Sequence, residues 1–227
     1  MINRLPRRAA GGALTAALIA GAAVAIPAAA SAATLAATRP CFVNTQRAVA
    51  QITITGNGWT PGDEISVSSS GGGVYLDGSF TAAADGTIAG SIGQYVVGAG
   101  GAAVARTTLT AIDYQNNTTA STSAAIANLA VTATPSTASP SRKVRLSFAG
   151  FPANRPIYGH YLHRNRVVLT YDFGRSAGPC TVRHVRARMY PRGRARYQSY
   201  LVQFDHSRRY SRRAADAFTT SLSFFRY

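Results

Sequence analysis

The sequence predicts an all-β fold, two sandwich modules in tandem behind a cleaved leader. Three observations predict it. Thr, Val, Ser, Tyr and Ala dominate the chain, and Gly, Pro, Asn and Asp interrupt them about every 8–12 residues, the rhythm of short sandwich strands. Ile52 and Ile54 alternate with Thr53 and Thr55, a period of two that puts one face inward and one outward. A segment near residue 54 recurs near residue 146.

The leader comes first in the chain. Arg4, Arg7 and Arg8 precede a run of small and apolar residues that Pro27 breaks, and Ala30-Ser31-Ala32 fits the small-x-small pattern of signal-peptidase cleavage. Residues 1–32 are therefore expected to be a secretory signal peptide, and the protein to be secreted, either released or associated with the cell surface. The apolar run is short and glycine-interrupted for a retained anchor. No later stretch of 18 apolar residues follows, and Thr38-Arg39-Pro40 before Cys41 is not a lipobox. Removal of the leader leaves 195 residues, a natural length for two modules of about 100.

Strands are expected near 39–44, 49–55, 64–70, 74–76, 87–97, 106–113 and 120–129. Asp77-Gly78 and Asp85-Gly86 read as tight turns, and 98–101 as a loop tip. The second series is expected at 129–134, 143–150, 157–163, 167–173, 181–190, 197–205 and 217–226, with turns at Asn165-Arg166 and Pro191-Arg192-Gly193. Residues 207–215 read as a basic loop or one helical turn.

Residues 54–65 align with 146–157 at a constant offset of 92. Gly58 matches Gly150, Trp59 matches Phe151, and Ile65 matches Ile157. Gly62 matches Asn154, and these are the two residue types that best tolerate positive φ. A period of this size is the length of one immunoglobulin-like module. Two tandem immunoglobulin-like β-sandwich domains are therefore expected, over 33–128 and 129–227.

The charge is divided unequally between them. Residues 33–128 carry three arginines and five acids, a net of −2. Residues 129–227 carry 18 Lys and Arg against Asp172, Asp205 and Asp216, a net of +15. A field of that size attracts anions and is damped by salt. Eight of the 11 tyrosines also fall in the second half. On the strand near 182–190, Val185, Ala187 and Met189 fall on one face and Arg186 and Arg188 on the other, and the turn beyond adds Arg192, Arg194 and Arg196. Arginine forks take phosphate and carboxylate bidentately, and tyrosine rings stack on sugars or bases. Arg186, Arg188, Arg192, Arg194, Arg196, Tyr190 and Tyr197 are the candidate binding residues. The candidate partner is an anionic cell-wall polymer, an acidic polysaccharide or extracellular nucleic acid. The rival reading makes the arginines a solvated face that prevents edge pairing, on a structural or protein–protein module.

Catalytic signals are weak, and no enzyme is expected. Asp205 and His206 are adjacent and should diverge on a strand, and no nucleophile elbow or α/β alternation is present. His160 and His163 should point to opposite faces, so no metal site and no cofactor are expected. Cys41 and Cys180 could form one disulfide between the modules, provided the modules fold back and bring the Cα atoms to within about 6 Å.

Gly58-Trp59-Thr60-Pro61-Gly62, after an alternating strand, resembles the first hairpin of secreted bacterial immunoglobulin-like and IPT-like domains. The resemblance implies that the aromatic plugs the end of the sandwich and Pro-Gly makes the turn. Apo-chromoproteins of the neocarzinostatin type open similarly, but their two intradomain disulfides are absent here, so their ligand is not carried over. The second half resembles secreted actinobacterial proteins at residues 157–162, at Gly178-Pro179-Cys180, and at Val202-Gln203-Phe204-Asp205 followed by Tyr210. That resemblance implies no activity.

Overall fold

A computed structural model of the chain describes residues 32–93, 95–96, 104–192, 195–196 and 199–224. The expected leader, apart from Ala32, and the expected loop tip at 98–101 lie outside them. The described residues belong to one compact unit and form an all-β, immunoglobulin-like arrangement.

Thr34–Ala37 (β1), Cys41–Asn44 (β2), Ile52–Asn57 (β3), Glu64–Ser70 (β4), Val74–Tyr75 (β5), Asp77–Thr81 (β6), Ile88–Ile92 (β7), Tyr95–Val96 (β8), Val104–Asp113 (β9) and Thr118–Asn128 (β10) make up the first half. Two sheets, β1-β3-β7 and β2-β10-β9-β4-β6, enclose one apolar core, and β5 pairs with β8 beside them. Ala130–Thr134 (β11), Lys143–Ala149 (β12), Pro156–His163 (β13), Arg166–Arg175 (β14), Arg183–Arg188 (β15), Ser199–Asp205 (β16) and Phe218–Ser223 (β17) make up the second. Sheets β11-β12-β15 and β14-β13-β16-β17 enclose a second core that includes Leu146, Phe148, Tyr161, Val202 and Phe204.

The strand order repeats. β3 sits between β1 and β7 as β12 sits between β11 and β15, and β6-β4-β9-β10 runs in the order of β14-β13-β16-β17. Even the parallel pairing of β2 with β10 has a counterpart, reduced to one parallel bridge between Ala138 and Phe224. The matched sequence positions have matched conformations. Gly58 and Gly150 have φ of 80° and 79°, and Gly62 and Asn154 have 86° and 58°. Trp59 and Phe151 are both buried, as are Ile65 and Ile157. The Trp59 indole also donates to the Thr34 carbonyl at 3.2 Å, closing the end of the first core.

Gly150 carries a second constraint. A Cβ there would lie 2.5 Å from Leu129 Cα and 2.7 Å from Leu129 N, both rigid backbone atoms. Gly62 has the same sign of φ but open space around it. Gly150→Ala should cost about 2–3 kcal/mol in urea unfolding against about 1 kcal/mol for Gly62→Ala, since only the first adds a backbone clash to left-handed strain. Equal losses would show that conformation, not contact, fixes both glycines.

Three local expectations are corrected. Asp77-Gly78 opens β6 instead of turning, because Gly71, Gly72 and Gly73, all at positive φ, take up the reversal after β4. The turn between β13 and β14 is Arg164-Asn165, both at positive φ, with His163 paired to Arg166. Thr34–Ala37, unassigned from sequence, pairs with β3. Residues 207–215 form a loop of turns without a helix.

Candidate functional site

The outer face of the β11-β12-β15 sheet is built by simple alternation. On β12, Val144, Leu146 and Phe148 enter the core, so Lys143 and Arg145 project outward. On β15, Val185 and Ala187 pack inward, so His184, Arg186 and Arg188 project outward. The register then sets like charges directly opposite each other: Lys143 faces Arg188, and Arg145 faces Arg186. His184 faces Ser147, whose Oγ lies 2.9 Å from the imidazole Nδ1. Thr132 and Thr134 of β11 extend the face with hydroxyls, and Arg142 stands at its rim. Among the described residues no Asp or Glu oxygen lies within 4.0 Å of a Lys or Arg nitrogen, so no acidic side chain neutralises these cations. Like charges in direct opposition destabilise a sheet.

Of the residues expected to bind, Arg186 and Arg188 lie on this face, and Arg192 and Arg196 are exposed beyond its end. Arg194 and Tyr197 lie outside the described residues. Tyr190 is corrected: it is 6% exposed and belongs to the core. Its ring packs against Tyr161, Tyr200 and Phe224 at 5.3, 5.1 and 6.1 Å. The reason is that β15 ends at Arg188. The next two amides bond to the Arg142 and Pro140 carbonyls, which turns Met189 and Tyr190 both inward and stops the alternation. Burial raises the Tyr190 hydroxyl above its usual pKa, Tyr200 adds to this, and Arg192 and Arg196 pull it back. Burial likewise raises Tyr161, with Tyr190 and Tyr171 adding to it. Arg142, Lys143 and Arg145 belong to the face and were not among the expected residues. The Lys143-Val144-Arg145-Leu146 alternation was the available signal.

The other sheet of this half holds a buried polar cluster on its outward side. His160 on β13 and Asp205 on β16 are 0% and 2% exposed. Asp205 accepts from Gln203 Nε2 at 2.7 Å, from the Ser207 amide at 2.8 Å and from His160 Nε2 at 3.3 Å. Burial by itself would raise the Asp205 carboxyl, but the hydrogen bonds from His160, Gln203 and Ser207 outweigh it and hold it low. Gln203 also donates to the Ser211 carbonyl at 2.8 Å, and Tyr210 lies edge-on to His160 at 5.8 Å. The cluster therefore fastens the loop carrying Arg208, Arg209, Arg212 and Arg213 onto the sheet. Asp205 and His206 diverge: His206 Nδ1 donates to the Pro156 carbonyl at 3.0 Å.

Cys41 and Cys180 are bonded, with Cα atoms 5.8 Å apart. The expected condition, that the halves fold back on each other, is not needed. β2 runs beside β10, which leads straight into the second half, and the Leu129 amide donates to the Asn44 carbonyl at 2.7 Å. Gly150 packs on Leu129 and donates to the Pro179 carbonyl, which delivers Cys180 to the junction. Gln46 adds a two-way amide clasp to the Thr219 backbone, at 2.9 and 2.8 Å.

No protein-family model matches the chain, and no curated protein matches it. Among solved structures it is similar to the D00-D0 domain of intimin, at 12% identity over 86% of this chain and 100% of that one, with a TM-score of 0.38. It is similar to a tetra-tandem repeat in the extending region of a large adhesion protein, at 13% identity over 85% of this chain and 48% of that one, with a TM-score of 0.31. It is also similar to the YadV chaperone, at 8% identity over 84% of this chain and 98% of that one, with a TM-score of 0.29.

Proposed function

We propose that the chain is a secreted, non-catalytic binding module of the cell envelope, with sandwich domains over 33–128 and 129–227. Its ligand is an anionic polymer, and the outer face of β12 and β15 receives it. The observation that carries this reading is the opposed ladder of Lys143 with Arg188 and Arg145 with Arg186, with no acidic partner among the described residues. Repulsion of that kind opposes folding, and a row of phosphates or carboxylates laid between the strands relieves it. Successive outward residues on a strand stand about 6.8 Å apart, so the ladder presents two parallel rows of charge to a linear polyanion.

The test uses the full exported chain and single-stranded DNA as a polyphosphate probe. Four neutralised phosphates give a log–log salt slope of about −2.8, so the Kd should rise about 50-fold between 50 and 200 mM salt. Heparin as a second probe separates phosphate from carboxylate and sulfate preference. Arg145→Thr with Arg186→Thr should weaken binding and flatten the slope while leaving the melting temperature unchanged or raised, because a repulsive pair is removed. Unchanged binding, or a Kd that ignores salt, would show the charge to be incidental.

A further inference from the structure

A pocket on the opposite sheet of the same half has a chemistry different from that of the basic face. Tyr158 and His160 on β13 stand across from Asp172 and Thr170 on β14, and the fastened loop brings Arg208 over them. Tyr158, Thr170, Asp172 and Arg208 line an open cavity of about 600 Å³. The hydrogen-bonding roles of these groups follow from their neighbours. His160 Nε2 faces two acceptors, Asp205 Oδ1 at 3.3 Å and the Ser207 carbonyl at 3.0 Å, so it carries a proton. With the ring proton held on Nε2 by those two acceptors, Nδ1 is the accepting nitrogen of that tautomer, and the Thr170 hydroxyl, 3.0 Å away, donates to it. The Thr170 oxygen is left with lone pairs only. Asp172 Oδ1 receives the Gly174 amide at 2.7 Å, which leaves Oδ2 to accept from the cavity. Arg208 supplies donors. Asp172 and Arg208 share the cavity without forming an ion pair, so a gap of more than 4.0 Å separates opposite charges there.

That set of groups discriminates between ligand classes. An anion would meet the Asp172 carboxylate, and a cation would meet Arg208. A neutral group that accepts on one side and donates on the other satisfies both, and adjacent sugar hydroxyls do this: one accepts from the guanidinium while donating to Asp172, and its neighbour donates to Thr170. The Tyr158 ring offers a surface for a sugar face. The buried His160–Asp205–Gln203 cluster holds both Thr170 and the Arg208 loop in place before any ligand arrives. We propose that this cavity binds a neutral saccharide through adjacent hydroxyls. This site is independent of the basic face, and either can fail without the other.

The experiment is affinity electrophoresis of the full exported chain in gels containing dextran, mannan or xylan, with the best of the three followed by titration calorimetry. Retardation by at least one is expected, and it should persist in Arg145→Thr/Arg186→Thr and change little between about 50 and 500 mM salt. Asp172→Asn and Thr170→Val should each weaken it about tenfold or more, the effect of losing a hydrogen bond in a ligand site. Arg208→Gln, on the exposed loop, tests the same pocket should either strand variant unfold. No retardation by any of the three glycans would overturn the proposal. So would retardation that survives both Asp172→Asn and Arg208→Gln, or that collapses with salt as the basic face should.

Discussion

Replacing Cys41 and Cys180 together by alanine should lower the stability of the chain by about 5 kcal/mol. The bond closes a loop of 139 residues, and the chain-entropy cost of closing a loop that long in the unfolded state is of this size. For a chain near 200 residues this corresponds to a drop in melting temperature of roughly 10–20 °C. The loss should appear as easier global unfolding and not as separation of the halves. The junction keeps the Asn44–Leu129 backbone bond, the Gln46 clasp on Thr219 and the Arg47 bond to the Arg212 carbonyl at 2.6 Å. Calorimetry of the double variant checks the magnitude, and reduction of the wild-type protein checks that the bond itself is responsible. A loss under about 1 kcal/mol would mean that the unfolded chain is already compact enough for the cross-link to restrain little.

How legible each part was depended on whether its cause is local. The repeated hairpin was readable because each position has its own chemical requirement: a glycine where φ is positive, an aromatic where the core end must be closed, an isoleucine where the next strand enters. Arg186 and Arg188 were readable for the same reason, since period two decides the face of any strand residue. Tyr190 was misplaced because alternation was carried past the end of β15, and nothing in the local sequence marks where carbonyls 140 and 142 recruit the next amides. Lys143 and Arg145 were readable as outward residues, but their opposition to Arg188 and Arg186 depends on strand register. The His160–Asp205 pair spans 45 residues and joins two strands far apart in the chain, so no spacing rule points to it. The disulfide was the one pairing available, and its geometry depended on how tightly Gly150 packs on Leu129.

Asp205→Ala should destabilise the chain by roughly 3–5 kcal/mol, because it leaves buried donors without their charged acceptor. The Ser207 amide loses its partner for turning into the loop, while His160 Nε2 and Gln203 Nε2 keep only the Ser207 and Ser211 carbonyls. The loop should then loosen, and trypsin should cut at Arg208, Arg209, Arg212 or Arg213 faster than in the wild type. Asp205→Asn isolates the charge, and its signature is in acid. The folded pKa of Asp205 lies below the ordinary carboxylate value near 3.9, so its contribution is fully present above that value and is lost as pH falls through the folded one. Asp85, held low by its bonds from Thr87, loses stability in the same direction in both proteins. So does Asp113, where bonds from Asn116 and Gln115 override the rise that burial would cause. The difference between wild type and Asp205→Asn therefore reports Asp205 with the groups bonded to it, free of Asp85 and Asp113. It should be largest at neutral pH and should close below about pH 4. A difference that stays constant through the acid range would mean that the carboxylate charge contributes nothing, and that shape and hydrogen bonding alone fasten the loop.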